Sequence, residues 1–129
     1  MDTVNSLETN NIAFINDKNP VIDAVAKDLA TSGINILFRA EDVKDALSQL
    51  SALKELPDVC VIDLDFHDKG VLTQLGVLKT KYPNLKLIIH SDIDDVETVK
   101  ALSKIGIDSY LLMGSDVDDF KRAIERVKA

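Results

Sequence analysis

Two rhythms of apolar residues alternate along this chain. Short apolar runs, such as Ile12 to Ile15 and Val59 to Leu64, are each followed by a stretch in which apolar residues recur at helical spacing. After the first run, Asn19-Pro20 predicts an N-cap with proline at the first helical position. Ile22, Val25, Ala26 and Leu29 continue that helix, and Gly33 closes it. Ile34 to Phe38 predict a second strand, and Val43, Ala46, Leu47 and Leu50 a second helix that stops before Pro57. Val59 to Leu64 form the third strand. Val71, Leu75 and Leu78 give a third helix, ended by Tyr82-Pro83. Leu85 to His90 are the fourth strand, and Val96, Val99, Leu102 and Ile105 mark a fourth helix that stops at Gly106. Ser109 to Met113 are the fifth strand. Ser115, with Asp118 three residues on, predicts a capping box for a last helix carrying Phe120, Ala123, Ile124 and Val127.

Strict strand–helix alternation with short connections implies a parallel sheet covered on both faces. Residues 1–10 are polar and aperiodic and are expected to form a flexible N-terminal tail. Residues 11–129 are expected to form one domain, with no repeat or internal linker, and the final helix leaves no room for a second.

Composition changes this picture little. A net charge of −7 with scattered Lys and Arg argues against direct nucleic-acid binding by this domain. No apolar run approaches the ~20 residues of a membrane span, and the N-terminus lacks a secretory signal, so no membrane contact and a cytoplasmic location are expected. Cys60, the single cysteine, lies in an apolar run and reads as an inert buried thiol.

The chemistry gathers at strand ends. In open α/β sheets the site lies beyond the carboxyl edge of the strands. Strand one ends in Asn16-Asp17, strand three in Asp63 with Asp65 beyond it, strand four in Ser91-Asp92, and strand five in Met113-Gly114. Asp17 and Asp63, on neighbouring strands, would converge on one cleft, where oxygen donors suit a hard cation such as Mg2+. A carboxylate in such a cleft can also act as a nucleophile toward phosphorus. Solvated strand-end carboxylates are the plain alternative. His67 and His90 lack a cysteine or second histidine at ligand spacing, so no zinc site is expected.

These residues resemble a family. "IAFINDKNP", "PDVCVIDLDF", "LKLIIHSD" and "IDSYLLMGSDVDDFKRAI" are similar, in order and register, to the strands and last helix of response-regulator receiver domains. The last segment especially resembles receivers that precede a helix-turn-helix output domain. The resemblance covers residues 11–128. It implies an α/β fold of the flavodoxin-like (CheY-like) kind, a doubly wound five-stranded parallel sheet of order 2-1-3-4-5 with helices on both faces. It implies a two-component phosphorelay role rather than an enzyme, with Asp63 as phosphoacceptor and a histidine kinase or phosphotransfer protein as donor. Ser91 becomes the hydroxyl that contacts the phosphoryl group, and Tyr110 the switch aromatic. Mg2+ would be held by Asp17, Asp63 and the backbone carbonyl of Asp65, with Asn16 acting through water. An output domain or a homodimer contact would use the face of the fourth helix, fifth strand and fifth helix.

Two positions depart from the pattern. The family usually carries an acid where this chain has Asn16, and a lysine where it has Met113. An ammonium 4 Å from a carboxylate contributes about 4 kcal/mol at an effective dielectric of about 20, before desolvation. Met113 offers no such grip. A degenerate receiver, working as a phosphorylation-independent interaction or dimerisation module, is therefore the second reading. "VIDLDF" also resembles the DxD strand of haloacid-dehalogenase-type phosphatases, in which Asp65 would be the acid/base. That motif ends the first strand of its family's core, whereas here it ends the third.

Overall fold

The computed structural model describes residues 11–17 and 20–128; the tail expected over residues 1–10 and the cap expected at Asn19 lie outside the described residues. Five strands, β1 (Asn11–Asn16), β2 (Asn35–Ala40), β3 (Val59–Asp63), β4 (Lys86–Ser91) and β5 (Ser109–Leu112), form one sheet in the order β2-β1-β3-β4-β5. Every neighbouring pair is parallel. Five helices follow the strands: α1 (Pro20–Thr31), α2 (Val43–Ala52), α3 (Lys69–Lys81), α4 (Val96–Ile105) and α5 (Val117–Lys128). This is the doubly wound sheet that the alternation and the resemblance predict.

Burial explains why the strands read as unbroken apolar runs. All five residues of β3 are buried, because helices cover both faces of the sheet. Successive side chains alternate between two cores. Val59 and Val61 join Phe14, Ile88, Phe120 and Ile124 in the core under α1 and α5. Cys60 and Ile62 join Ile15, Ile89, Leu75 and Leu102 in the core under α2, α3 and α4. Val21 and Ala24 lie on the exposed side of α1, as the helical spacing predicts.

Acidic side chains start four of the helices, α2 to α5. Asp42, Asp68 and Asp95 accept from the N–H groups of Asp45, Gly70 and Thr98, at 2.7, 2.8 and 2.9 Å. The cap at Asp68 starts α3 at Lys69, earlier than the apolar spacing from Val71 suggests. The box expected from Ser115 and Asp118 is displaced by one residue. Asp116 accepts from Asp119 N–H at 2.9 Å and Asp119 accepts from Asp116 N–H at 3.0 Å, while the Ser115 hydroxyl donates back to Leu112 O. At the other end of α4, Gly106 takes a left-handed φ of 100° and donates to Leu102 O and Ser103 O. No helix among the described residues is long and apolar enough to cross a membrane.

Candidate functional site

Strand register builds the site. Asn16 is the direct partner of Asp63 across β1 and β3, and Ile62 pairs with Ile89 across β3 and β4. One step further along, Asp63 and His90 stand side by side. Alternation then sorts the side chains. Asn16, Asp63 and His90 share the parity of Phe14, Val61 and Ile88, toward α1 and α5, whereas Ser91 shares that of Ile89, toward α2–α4.

The carboxyl edge is largely buried. Asn16, Asp63 and Ser91 are 6%, 7% and 4% exposed, and His90 is fully buried. Asp63 Oδ2 lies 3.0 Å from His90 Nδ1. An ionised carboxylate only accepts hydrogen bonds, so facing one Nδ1 would be the donor. His90 Nε2 is buried without a hydrogen-bond partner, and the ring packs against Phe120 of α5, centroids 5.2 Å apart at 47°. No partner for His90 was legible in the sequence, because ligand spacing is counted along the chain and Asp63 lies 27 positions away. Strand parity is the signal that finds it.

A second pairing was also missed. Arg39 Nη2, on β2, donates to Asn16 Oδ1 at 3.3 Å and forms an ion pair with Asp23 of α1. The guanidinium lies 6.0 Å over the Phe14 ring. Asn16 Nδ2 donates to the backbone carbonyl of Asp17 at 2.7 Å. Asn16, Asp17, Asp23, Arg39 and Glu41 line a cavity of about 220 Å³ beside β1. A larger hollow of about 310 Å³, near Pro57 and Lys86, opens at the opposite edge of the sheet, away from these groups.

The remaining expected residues are spread around this edge. Ser91 Oγ accepts from Ile93 N–H at 3.0 Å, and the half-buried Tyr110 donates its hydroxyl to Ile93 O at 2.5 Å. Met113 N–H extends the β4–β5 ladder to Ser91 O, and Met113 itself is 43% exposed. Asp17 is exposed. The Asp65 side chain is 71% exposed and accepts from His67 N–H, and its backbone carbonyl accepts from Asp68 N–H. Asp65 thus serves its own turn, and these contacts lend the phosphatase reading no support. His67 lies on the surface, with Nε2 3.3 Å from Asp95. Hydrogen bonds from Thr98, hydroxyl first and N–H second, hold the Asp95 carboxyl below its usual range, with His67 adding to them.

Among the described residues, no three His, Cys, Asp or Glu side chains converge to hold a metal. The donors that remain are carboxylate, carbonyl and amide oxygens. They fit Mg2+ with most of its coordination left to water, as that ion prefers.

The parallel 2-1-3-4-5 sheet, with a buried carboxylate ending its central strand, belongs to the CheY-like class of flavodoxin-like folds. A response regulator from Thermotoga maritima superposes with a TM-score of 0.78 at 19% identity, over 93% of this chain and 98% of the other. A DNA-binding response regulator of the LuxR family from Staphylococcus aureus does so with a TM-score of 0.78 at 18% identity, over 93% and 99%. In sequence the chain is 30% identical over 117 residues to the response regulator protein VraR of Staphylococcus saprophyticus, covering 89% of this chain and 54% of that protein. VraR of Staphylococcus aureus is 28% identical over the same length. The chain thus spans about half the length of the curated relatives it matches. No family model matches it. Over most of its length the chain thus matches response regulators in sequence and CheY-like receivers in fold.

Proposed function

We propose that this domain accepts a phosphoryl group on Asp63 from a histidine kinase or phosphotransfer protein and passes the change to a partner-binding face. The observation that carries the reading is Asp63 itself, a buried carboxylate at the carboxyl edge of the central strand, with Oδ2 3.0 Å from His90 Nδ1. In the transfer, Asp63 Oδ1 would form a bond to phosphorus as the P–N bond of the donor phosphohistidine breaks. The electron pair and a proton from solvent go to the leaving imidazole. Ser91 supports this chemistry, because a hydroxyl that accepts from Ile93 N–H can still donate to a phosphoryl oxygen. Asp17, Asp63 and the Asp65 carbonyl would hold Mg2+, with Asn16 acting through water. The ion would supply charge neutralisation for the incoming phosphoryl oxygens.

The face of α4, β5 and α5 is the candidate partner surface, for an output domain or a second copy. Val96, Val99 and Leu112 are 65%, 36% and 60% exposed there. The relatives' names, response regulators with a DNA-binding example among them, support that direction, and a cytoplasmic setting follows from the same reading.

Intact mass after treatment with acetyl phosphate and Mg2+ is the test. The parent should gain one phosphoryl group and Asp63→Asn none. Asp17→Ala should slow the gain and weaken Mg2+ binding followed by amide NMR. A parent that gains nothing supports the phosphorylation-independent module instead, a reading favoured by Met113 standing exposed where the family's lysine is expected.

A further inference from the structure

We propose that His90 couples the chemical state of Asp63 to helix α5 through Phe120, by a path distinct from Ser91 and Tyr110. This rests on Asp63 as phosphoacceptor. The imidazole is fully buried and held at one nitrogen, Nδ1, by Asp63 Oδ2 at 3.0 Å. Its other nitrogen, Nε2, has no hydrogen-bond partner. The ring lies 5.2 Å from that of Phe120, which is fully buried and shares a core with Ala123 and Ile124 of α5. The imidazole is therefore a side chain with one polar anchor, wedged between the acceptor carboxylate and the last helix.

Phosphorylation changes that anchor. In the carboxylate, Oδ2 carries part of a negative charge, and the Nδ1–H bond is charge-assisted. When Oδ1 bonds to phosphorus and the donor's P–N bond breaks, Oδ2 becomes the neutral carbonyl oxygen of an acyl phosphate. A charge-assisted hydrogen bond is roughly twice as strong as a neutral one. The loss amounts to about a tenfold change in the balance between the held ring and any competing position. Close-packed cores respond to such changes by moving between discrete arrangements, so a shifted imidazole displaces Phe120 and, with it, the first turns of α5. His90 is a positioning residue in this scheme: its hydrogen bond reports when Oδ2 loses charge.

NMR of the full chain with ¹⁵N-labelled histidine and ¹³C-labelled phenylalanine and isoleucine tests the coupling without any phosphate. The His90 ring should show the Nδ1–H tautomer. Asp63→Asn, which replaces the charged oxygen by a neutral amide, should shift the His90, Phe120 and Ile124 resonances. In a His90→Leu background the same substitution should move Phe120 and Ile124 severalfold less. Phe120→Leu, a milder change should His90→Leu fail to fold, should leave the His90 response intact and remove that of Ile124. An Nε2–H tautomer, or equal α5 shifts with and without His90, overturns the proposal. Acetyl phosphate separates the two readings. His90→Leu should still gain phosphoryl mass but lose the α5 response, whereas a parent that gains none removes the phosphoacceptor reading and leaves Asp63→Asn to decide the coupling.

Discussion

Ile93, immediately beyond β4, is held by both residues that the family resemblance assigns to the switch. Its N–H donates to Ser91 Oγ at 3.0 Å in a buried bond, and its carbonyl accepts from Tyr110 at 2.5 Å in a part-buried one. Tyr110→Phe removes one neutral hydrogen bond, worth about 1 kcal/mol. Ser91→Ala leaves a buried N–H without its acceptor, which costs about 1–3 kcal/mol. For urea unfolding with a slope of about 2 kcal/mol/M, the first lowers the midpoint by about 0.5 M and the second by about 0.5–1.5 M. The decisive quantity is the double variant. Once Ser91 releases Ile93, the residue is less fixed and the tyrosine hydroxyl has less to lose. The combined cost should fall short of the sum by at least about 0.5 kcal/mol. Urea midpoints of the four proteins, read by far-UV circular dichroism, measure it. Additivity within about 0.3 kcal/mol would show that the two side chains act independently and that Ile93 is no shared anchor.

Three further outcomes follow from particular contacts. Beryllofluoride with Mg2+ should shift the amides of Ser91, Ile93 and Tyr110 only partly in the parent, because Met113 offers the bound group no charge-assisted contact; Met113→Lys should enlarge the shift, and a full shift in the parent would make the lysine dispensable. Burial pushes the Cys60 thiol well above its ordinary value, so it should resist a disulfide reagent in the folded protein and react at the rate of unfolding in urea; fast modification without urea would contradict its placement in β3. Asp116→Ala should cost about 1 kcal/mol at the start of α5, whereas Ser115→Ala should cost less. The N–H of Asp116 foremost, and then Arg122, hold the Asp119 carboxyl below its usual range. That contribution to stability is present above the unfolded value of about 3.9 and is lost as pH falls through the lower folded value; an Asp119 side-chain carbonyl resonance that titrates at or above about 3.9 would refute the assignment.

The order of strands and helices was legible because the central strands β1, β3 and β4 are buried on both faces and each helix on one. Those two conditions write different periods into the sequence, and nothing in a chain this short interrupts them. Helix starts were less legible. Lys69 and Gly70 open α3 without an apolar residue to announce them, so the spacing points to Val71 instead. At α5 the pairs Ser115/Asp118 and Asp116/Asp119 satisfy the same three-residue rule. Only the turn geometry, with Gly114 at φ 92° and the Ser115 hydroxyl turned back to Leu112, selects the second. The strand-end residues Asn16, Asp63 and Ser91 were placed correctly at the edge, since a strand's end is a local property. Their partners were not, since Arg39 is 23 positions from Asn16 and His90 is 27 from Asp63.

Those two partners bear on the positive charge that Met113 does not supply, but they are not equivalent. Arg39 carries a full charge, yet its side chain is 37% exposed and is shared with Asp23, so water screens most of its effect. Its contact with Asn16 is also the longer, at 3.3 Å, to a neutral amide oxygen. His90 is fully buried and donates at 3.0 Å to the carboxylate itself, where a hydrogen bond is electrostatically stronger and the alternative partner, water, is absent. A flexible ammonium could leave Asp63 for an incoming phosphoryl oxygen and still hold the same group. An imidazole packed against Phe120 has no such reach, so it keeps its place on Oδ2 and responds through the strength of one bond. A site built this way can retain a receiver's acceptor and hydroxyl while sending its signal into the core beneath α5.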